Sequence, residues 1–343
     1  MNNLLIKGDN IKALKYLRDD LGLQGKISLV YIDPPFATGG IFSVDPNGRI
    51  ATVSRKKQGT IAYTDTLQGE TFIQFLKERI EIIYDLLADH GSFYLHIDYK
   101  IGHYVKVMLD SIFGIKNFRN DITRIKCNPK NFSRIGYGNI KDLILFYTKG
   151  EHPIWNEPRL SMSQEEIIKL YPKIDKQGRR YTTVPIHAPG ETKNGNSSQP
   201  FKGILPPEGR HWRCSIEELE ALDRNGLLEW SSNHVPRKIN YADEHLTKRM
   251  QDIWEFKDPQ HPKYPTEKNS IMLQTIIKAS SNEGSIILDC FAGSGSTLIA
   301  ATELNRHWIG VDISDVAIKT IKKNLEHFQT TSNRTSGYQF IEL

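Results

Sequence analysis

Hydrophobic positions along this chain follow two patterns that alternate with each other. Short, uninterrupted apolar runs such as Ile27–Ile32 predict strands that are covered on both faces of a parallel sheet. Between positions 70 and 89, apolar residues recur at 72, 76, 80, 83 and 87, which is the spacing of one helix face, and Gly91 marks the end of this stretch. Strand and helix patterns alternate through the first 150 residues and again after Pro265. The chain is therefore predicted to form a doubly wound α/β sheet. The other predicted strands are 4–6, 92–97, 142–147, 286–288 and 308–311, and the other predicted helices are 10–21, 101–113, 267–281, 297–304 and 315–328.

From about residue 151 to residue 255 the pattern changes. Pro and Gly are scattered, aromatic residues lie beside Arg or Lys, and long apolar runs are few. This stretch is predicted to be an insertion, flanked by residues 1–150 and 256–343. Within it, Ser215 and Glu218 have the spacing of a capping box, which predicts a short helix that ends near Gly226.

Length and composition narrow the classes of protein. The 343 residues, of which 38% are hydrophobic, are typical of a globular protein with a large core. No apolar run approaches the roughly 20 residues that cross a bilayer, and the N-terminus lacks the pattern of a signal peptide. The three cysteines (Cys127, Cys214 and Cys290) lie far apart, and the histidines lack the spacing of metal ligands. We therefore expect no metal site, no disulfide framework, no membrane span and a location in the reducing cytoplasm.

The charge is mildly basic and unevenly distributed. A formal net charge of +5 permits a polyanionic partner without requiring one. Between residues 116 and 150, eight Lys or Arg residues accompany two acids, Asp121 and Asp142. This stretch suits either an ordinary solvated surface or a set of phosphate contacts, with Lys126 as one candidate.

One short loop has the residues needed to hold an aromatic amine. Asp33, Pro34, Pro35 and Phe36 come directly after the predicted strand Ile27–Ile32. The nitrogen of such an amine is a poor nucleophile because its lone pair is delocalised into the ring. The Asp33 carboxylate and the Pro34 carbonyl could accept its two N–H bonds and turn the lone pair towards a methyl donor, while Phe36 stacks on the ring. Consecutive prolines stiffen the loop and donate no N–H, although the same tetrapeptide also suits a rigid surface turn.

A second loop has the features of a nucleotide-cofactor site. It runs from Asp289 to Thr297, follows a predicted strand and opens a predicted helix. The third glycine of a dinucleotide fingerprint is missing, which disfavours a nicotinamide dehydrogenase, and no Lys follows the glycines, which excludes a Walker phosphate loop. Asp312 closes the next strand and is placed either to accept from ribose hydroxyls or to cap a helix. The candidate cofactor contacts in the loop are Asp289, Phe291, Ala292, Gly293, Ser294, Gly295 and Thr297.

Together the two loops predict methyl transfer to the exocyclic amine of a base in DNA. Such a base must leave the duplex, since its amine and ring face cannot be reached inside the stack. Methylation of ring carbon five of cytosine would need a cysteine nucleophile, and none of the three cysteines follows a proline. Direct transfer to nitrogen is therefore favoured. A DNA-binding module without catalysis would not explain two loops of matched chemistry.

With these motifs the chain resembles the β class of DNA amino-methyltransferases, close to the site-specific adenine-N6 methylases of bacterial restriction-modification systems. The Asp-Pro-Pro-aromatic loop at Asp33 comes first, the insertion second and the Phe-x-Gly-x-Gly loop at Phe291 last, and this order is more specific than either motif. The likeness covers nearly the whole chain. It implies a Rossmann-like, circularly permuted class I methyltransferase fold with a mixed sheet. Residues 1–150 would form the catalytic half, 151–255 the target-recognition insertion and 256–343 the cofactor-binding half.

The resemblance also implies the cofactor and some of its contacts. The methyl donor would be S-adenosylmethionine. Asp9 lies in a Gly-Asp element whose acid is near the adenosine in this family. Thr266 and Lys268 lie in a segment that resembles the family's Tyr-Pro-Thr-Gln-Lys-Pro element, which approaches the methionine end. Glu267 and Asn269 stand here for the usual Gln and Pro.

The insertion resembles the recognition regions of these enzymes, which implies contacts to double-stranded DNA. An Arg beside a Trp would equally suit covering a small core with its aliphatic stem. A cognate restriction endonuclease and a homodimer are implied by the family alone. The candidate DNA contacts in the insertion are Arg210, Trp212, Arg213, Arg237 and Lys238.

The identity of the target base is suggested by the first loop. In the resembled family an acid at the position of Asp33 goes with adenine more than with cytosine, for which Ser is usual. Phe36 replaces the commoner Tyr and keeps the stacking face. Methylation of cytosine N4 is the first alternative. RNA or protein methylation is the second, although those enzymes usually place the glycine loop before the Pro-Pro loop.

Overall fold

The computed structural model describes residues 2–35, 41–44, 50–52, 60–64, 69–129, 135–192, 195–258, 268–332 and 337–343. The chain forms two compact units. Unit 1 comprises Met1–Pro158 and Gln251–Leu343, and unit 2 comprises Arg159–Met250. No helix in the described ranges is both long and apolar enough to cross a membrane.

The elements are numbered in chain order, and β9 to β16, α4 and α5 belong to unit 2. The strands are β1 (Asn3–Lys7), β2 (Ile27–Ile32), β3 (Ile41–Val44), β4 (Ile50–Thr52), β5 (Thr60–Thr64), β6 (Leu87–Ile97), β7 (Phe118–Ile125), β8 (Lys141–Thr148), β9 (Arg159–Ser161), β10 (Lys173–Ile174), β11 (Arg180–Pro185), β12 (His187–Pro189), β13 (Arg210–Trp212), β14 (Leu228–Trp230), β15 (Pro236–Tyr241), β16 (Thr247–Arg249), β17 (Ile253–Trp254), β18 (Ile286–Asp289), β19 (His307–Asp312) and β20 (Tyr338–Glu342). The helices are α1 (Asn10–Lys15), α2 (Gly69–Leu86), α3 (Tyr99–Phe113), α4 (Gln164–Leu170), α5 (Ile216–Arg224), α6 (Ser270–Ser280), α7 (Ser296–Glu303) and α8 (Asp315–Ser332).

Nine strands of unit 1 form one mixed sheet in the order β17-β7-β8-β6-β2-β18-β19-β1-β20. The six strands from β6 to β20 in this order run parallel, whereas β8 is antiparallel to both of its neighbours. β2 and β18 are adjacent in the sheet although they come from opposite ends of the chain. Their carboxyl ends therefore lie at the same edge, where α/β sheets bind ligands. This topology confirms the predicted doubly wound, mixed sheet.

Helix α2 shows how the predicted patterns become elements. Its apolar stripe, which includes Phe72, Leu76 and Ile80, is fully buried, as the helical spacing indicates. The helix was expected to reach residue 89 but ends at Leu86. Leu87 continues the stripe, yet it pairs with Ile27 in the sheet, and strand pairing decides its conformation.

Three strands at or near the edges of the sheet, β7, β17 and β20, were not predicted. β7 and β20 contain few consecutive apolar residues, and about half of their side chains or more are exposed or half-buried. An edge strand buries only part of its surface, so it lacks the apolar run by which the central strands are found. Helix 10–21 was predicted as one element and is found as α1 followed by a π-helical stretch, Tyr16–Asp20.

Unit 2 is built from small sheets and two short helices. Its largest sheet has the order β10-β11-β15-β14, and β12 pairs with β13. A separate core forms from Ile186, Phe201, Trp212 and Leu219. The capping box at Ser215 opens α5, as predicted, and a second capping box at Ser163 that opens α4 was not predicted.

The predicted insertion, 151–255, extends beyond unit 2 at both ends. The Asn156 amide donates to carbonyls of Lys278 and Ser281, at and just beyond the end of α6. β17 pairs with β7 at the edge of the large sheet. These residues belong to unit 1. Their contacts fix one end of the predicted insertion to the end of α6 and the other end to the large sheet.

Candidate active site

The two predicted loops lie side by side at the carboxyl ends of neighbouring strands. Leu29 and Val30 of β2 pair with Ile287 and Leu288 of β18. Asp33 follows the first strand directly, and Asp289 ends the second. This register places the two loops, which come from opposite ends of the chain, side by side at one edge of the sheet.

Asp33 is held by one strong contact and keeps one oxygen available. Its Oδ2 lies 2.6 Å from Nζ of Lys268, and the two side chains are only 15% and 9% exposed. Its Oδ1 is buried and has no hydrogen-bond partner among the described residues. A buried acceptor without a donor is costly unless a ligand supplies the donor. Pro34 is buried and Pro35 half-buried behind it, whereas Phe36 lies outside the described residues.

Lys268 forms a contact that the resemblance did not predict. It was predicted to contact the cofactor, and the structure shows its ammonium on the Asp33 carboxylate. Asn269 follows it and caps α6, with Oδ1 accepting from the N–H groups of Ile271 and Met272. This cap fixes the start of α6 at Ser270, two positions after Lys268. A cofactor contact of Lys268 stays a prediction, and Thr266 lies outside the described residues.

A row of buried polar side chains extends from Asp33 across three further strands. We call Tyr31, His96, Asp142 and Arg124 the polar row. His96 Nδ1 lies 3.0 Å from the Tyr31 hydroxyl, and its Nε2 lies 3.2 Å from Oδ2 of Asp142. Arg124 lies 3.6 Å from Asp142, and all four side chains are at most 2% exposed.

The strand register explains why these residues lie together. Arg124 pairs with Asp142 across β7 and β8, and Tyr31 pairs with Tyr94 across β2 and β6. His96 lies two positions beyond Tyr94, on the same face of the sheet as Tyr31. No local motif marks these residues, so the sequence predictions missed them.

Two more ion pairs connect charged side chains of the polar row to neighbouring residues. Lys126 Nζ lies 2.5 Å from Oδ1 of Asp142. Arg124 pairs with Asp258 and donates from Nε to the carbonyl of Phe256, at 2.8 Å. With Asp33 and Lys268, three carboxylates therefore meet three cations, which leaves a neutral His96 as the uncharged centre of the row.

Burial shifts the pKa values in this row in opposite directions. Burial, reinforced by the nearby Lys268 ammonium, holds the pKa of His96 below its ordinary value. Burial alone would raise the pKa of Asp142, but its contacts with His96 and Lys126 outweigh burial and lower it. Burial raises the pKa of Tyr31 well above its ordinary value. At neutral pH the row thus contains a neutral imidazole, an ionised Asp142 and a protonated Tyr31.

The glycine loop is shaped by two carboxylates. Oδ1 of Asp289 accepts the N–H of Phe291 at 3.0 Å, and Oδ2 of Asp312 accepts the N–H of Gly293 at 2.8 Å. Gly295 begins α7 with φ of +80°, and a Cβ there would lie 3.1 Å from Ile321 Cγ1. The backbone angle therefore favours glycine at this position, and any side chain would also have to displace Ile321 slightly.

Burial raises the pKa of both carboxylates that accept N–H groups of the glycine loop. Burial raises the pKa of Asp289 to about 7, although hydrogen bonds from Thr297 and Phe291 oppose it. Burial likewise raises the pKa of Asp312 to about 6, against hydrogen bonds from the N–H groups of Ser314 and Gly293. Both groups therefore change charge near neutral pH.

The remaining predicted residues of the loop lie in the same turn. Ala292 is buried and donates its N–H to the carbonyl of Val311, at 3.0 Å. Ser294 and Thr297 are also buried. The loop is therefore anchored to β19, and its cofactor contacts stay a prediction.

Arg79, which the sequence predictions missed, connects the Asp9 element to the glycine loop. Its guanidinium donates to Oδ1 of Asn10 at 2.5 Å and lies 3.5 Å from Oδ2 of Asp9. It also covers the Phe75 ring, 3.5 Å from the centroid, and that ring lies 6.2 Å from the ring of Phe291. A charged residue in the middle of the α2 pattern resembles a solvated position, so its buried role could not be foreseen.

The Asp9 carboxylate has a structural task of its own. Its Oδ1 accepts from the N–H groups of Ile11 and Lys12 and caps α1. The Asn10 amide donates to the carbonyl of Cys290, at 3.3 Å. This links the start of α1 to the glycine loop.

No group of three or more metal-ligating side chains that could hold an ion occurs in the described part of the chain.

Two predicted DNA contacts have structural roles. Trp212 is 1% exposed and lies in the core of unit 2, with Nε1 donating to the carbonyl of Gln199. The prediction that Trp212 contacts DNA is therefore wrong, because a buried indole cannot reach a base. Lys126 is ion-paired with Asp142 and is 22% exposed.

The basic stretch at 116–150 is largely paired within the protein. Lys116 pairs with Glu151, Arg119 donates to Thr148 and the Gly150 carbonyl, and Lys149 donates to a backbone carbonyl of β6. These contacts favour a structural role for the basic side chains of this stretch that the structure describes.

The other candidates in unit 2 lie at or near its surface. Arg210, Arg213 and Lys238 are exposed. Arg213 Nε donates to the carbonyl of His187, at 3.1 Å. Arg237 is half-buried and donates to the carbonyl and hydroxyl of Thr183. Their contacts to DNA stay predictions.

Comparisons with known proteins agree with this arrangement. The family model N6_N4_Mtase, described as DNA methylase, matches residues 27–323. The chain is 40% identical over 328 residues to the type II methyltransferase M.EcaI of Enterobacter cloacae, which covers 94% of this chain and 69% of that protein. It is 25% identical to the Mod subunit of the type III restriction-modification enzyme StyLTI of Salmonella typhimurium, over 89% of this chain and 50% of that protein. The chain thus spans about half the length of the latter relative.

Solved structures show the same fold. The structure of TTHA0409 from Thermus thermophilus, complexed with S-adenosyl-L-methionine, superposes with a TM-score of 0.51 at 15% identity, over 99% of this chain and 98% of that one. The cytosine-N4-specific PvuII DNA methyltransferase gives a TM-score of 0.50 at 13% identity, over 100% and 95% of the two chains. Since the family match spans most of the chain and a relative is 40% identical, this chain belongs to the N6_N4_Mtase family of DNA methylases.

Proposed function

We propose that this protein transfers the methyl group of S-adenosylmethionine to the exocyclic N6 amine of an adenine that has left the DNA duplex. The observation that supports this proposal most directly is Oδ1 of Asp33, a buried acceptor without a donor among the described residues. It lies at the sheet edge where the glycine loop begins. An amine held there would donate a hydrogen bond to this acceptor.

The two loops together would support a direct transfer of the methyl group to the amine nitrogen. S-adenosylmethionine would supply the methyl group: its C–S bond would break as the C–N bond forms, the sulfur would keep the electron pair, and the proton lost by the nitrogen would pass to solvent. Asp33 Oδ1 would accept one amine N–H, and the Pro34 carbonyl the other. These two acceptors would orient the lone pair towards the methyl group. The glycine loop with Asp312, and Asp9 beside Arg79, would hold the cofactor.

Adenine is proposed over cytosine because the first loop begins with an acid. The decisive measurement is mass spectrometry of nucleosides from duplex DNA that has been incubated with the protein and labelled S-adenosylmethionine. N6-methyladenine is expected. N4-methylcytosine instead would replace adenine as the target, and label found only in RNA or protein would refute the DNA substrate.

A role in a restriction-modification system is proposed for the whole protein. The relative StyLTI Mod is named as a subunit of a type III restriction-modification enzyme, and M.EcaI is named as a type II methyltransferase. Modification would then be restricted to one short sequence and would block cleavage by a cognate endonuclease. Sequencing modified bases in a host that expresses the protein should find a single methylated motif, whereas methylation scattered over unrelated sequences would refute the role.

Recognition of DNA is proposed for the exposed cations of unit 2. The double variant Arg213→Ala, Lys238→Ala is expected to weaken duplex binding by about tenfold or more, because a base contact and a phosphate contact would both be lost. The measurement is DNA affinity at two salt concentrations, with cofactor affinity as the internal reference. Arg224→Ala, an exposed cation on α5 in the same unit, is the matched control. Equal affinities for the double variant and the wild type would contradict the assignment.

Cofactor affinity is expected to rise with pH. The pKa of Asp289 is about 7 and that of Asp312 about 6, so both are increasingly protonated below neutrality. Binding of the sulfonium cation and of ribose hydroxyls favours the ionised carboxylates. The Kd for S-adenosylmethionine should therefore fall by about tenfold between about pH 5.5 and about pH 8. Titration calorimetry across this range tests it, and Asp312→Asn should flatten the lower part of the curve. A Kd that is constant or rises with pH would contradict the expected sign.

A further inference from the structure

The polar row contains a histidine that the proposed transfer does not itself require. His96 is fully buried, and its Nδ1 lies 3.9 Å from Oδ1 of Asp33, which is beyond hydrogen-bond distance. This Oδ1 is the same oxygen that is proposed to accept the amine. The state of the imidazole therefore decides whether that acceptor stays available.

The neighbours of His96 fix its tautomer. Asp142 is ionised and can only accept, so Nε2 of His96 must carry the proton that it donates to Asp142, at 3.2 Å. The neutral ring then has a lone pair at Nδ1, and the Tyr31 hydroxyl, 3.0 Å away, donates to it. In this arrangement neither Tyr31 nor His96 directs a proton at Asp33.

We propose that His96 is a positioning residue that is held by Asp142 and Tyr31 in the Nε2–H tautomer and so keeps Oδ1 of Asp33 an open acceptor for the amine of the target base. This inference rests on the proposed function. In the protonated ring, Nδ1 carries a proton and faces the Asp33 carboxylate. The positive ring then lies within ion-pair distance of Oδ1, 3.9 Å from Nδ1, and its charge competes with the substrate amine for that oxygen, so protonation of His96 turns the site off.

The charged groups that face His96 come from four elements. Asp33 follows β2, Asp142 lies on β8, Arg124 lies on β7, and Lys268 precedes α6. Lys126, just after β7, pairs with the far oxygen of Asp142. Burial and the Lys268 ammonium favour the neutral ring, while the two carboxylates favour the protonated one, and the pKa of His96 is lowered on balance. The wild type should therefore lose activity only below the usual histidine range, about pH 6.5.

The experiment is the pH profile of methyl transfer in single turnovers, with duplex DNA and saturating S-adenosylmethionine. Tyr31→Phe keeps the ring volume and removes the donor to Nδ1, which disfavours the neutral imidazole, while the protonated ring can still bind Asp33. The acid limb of its profile is expected to shift to higher pH. His96→Asn is expected to lower the rate by about tenfold or more, because the contacts to Tyr31 and Asp142 that order the polar row beside Asp33 are lost, and to abolish the shift of the acid limb when combined with Tyr31→Phe. His90→Asn, the same change at an exposed position of the same strand, should leave both rate and profile unchanged.

The outcomes separate this inference from the proposed function. An acid limb at the wild-type pH in Tyr31→Phe overturns the inference, even if His96→Asn fails to fold. A wild-type rate and profile in His96→Asn overturn it as well. Cofactor affinity within about threefold of the wild type in Tyr31→Phe is required, because His96 acts on Asp33 and not on the glycine loop. Activity retained in Asp33→Ala would instead refute the proposed function itself.

Discussion

Replacing Asp33 by Ala is expected to abolish methyl transfer, with a rate lower by about a thousandfold or more, while the Kd for S-adenosylmethionine stays within about threefold. The variant removes the open acceptor at Oδ1 and leaves the glycine loop in place. Single-turnover transfer to duplex DNA measures the rate, and equilibrium binding measures the Kd. Asp89→Ala, an exposed carboxylate on β6, is the control and should behave like the wild type.

Asp33→Asn gives a sharper version of the same test. The new amide would direct its oxygen at the Lys268 ammonium, which lies 2.6 Å from Oδ2 in the wild type. Its NH₂ group would then occupy the position of Oδ1 and face the amine of the substrate. Because two donors cannot pair, Asn is expected to be as inactive as Ala. Substantial activity of the Asn variant would show that Asp33 acts only through its shape.

The residues that could be predicted from sequence are those whose chemistry is local. Asp33 and its prolines follow an apolar strand, and the glycine loop follows another, so each motif predicts its own place at a strand end. The family match confirms the predicted DNA methyltransferase, with S-adenosylmethionine as the methyl donor. The two loops lie together because the strands that they follow are parallel neighbours, and parallel strands share one ligand-binding edge.

The polar row could not be predicted, because its contacts are set by strand register. In the sequence, Arg124 and Asp142 belong to a basic stretch that is typical of a solvated surface. In the structure they pair across β7 and β8 and are buried. His96 reads as one polar residue in an apolar strand. Only the order of the four strands shows that these side chains share one face beneath Asp33.

The basic stretch shows the limit of reasoning from charge. Lys126 was a candidate for phosphate contact, and its ammonium is on Asp142. A count of Lys and Arg along the sequence does not distinguish cations that face solvent from cations that neutralise buried carboxylates. The exposed cations of unit 2, Arg213 and Lys238, are better candidates for contacts with DNA because they are accessible.

Lys268 gives the last and most quantitative prediction. Removing it leaves the Asp33 carboxylate buried without its counter-charge, and Lys268→Met is expected to destabilise the protein by about 3 kcal/mol. The same variant should lower the rate by about a hundredfold, since Oδ2 no longer fixes the carboxylate and Asp33 can turn away from the amine. Lys278→Met, at an exposed position of α6, is the matched control and should cost little.

A double-mutant cycle with Asp33→Ala distinguishes an ion pair from two independent effects. If the Lys268 ammonium acts mainly on Asp33, the double variant Asp33→Ala, Lys268→Met should be more stable than the sum of the single changes, by about 1 kcal/mol or more. Urea denaturation of the four proteins measures this coupling. Strictly additive losses of stability would show that Lys268 acts mainly on a partner other than Asp33. The backbone of the proline loop would then be the part of the protein that fixes the Asp33 carboxylate.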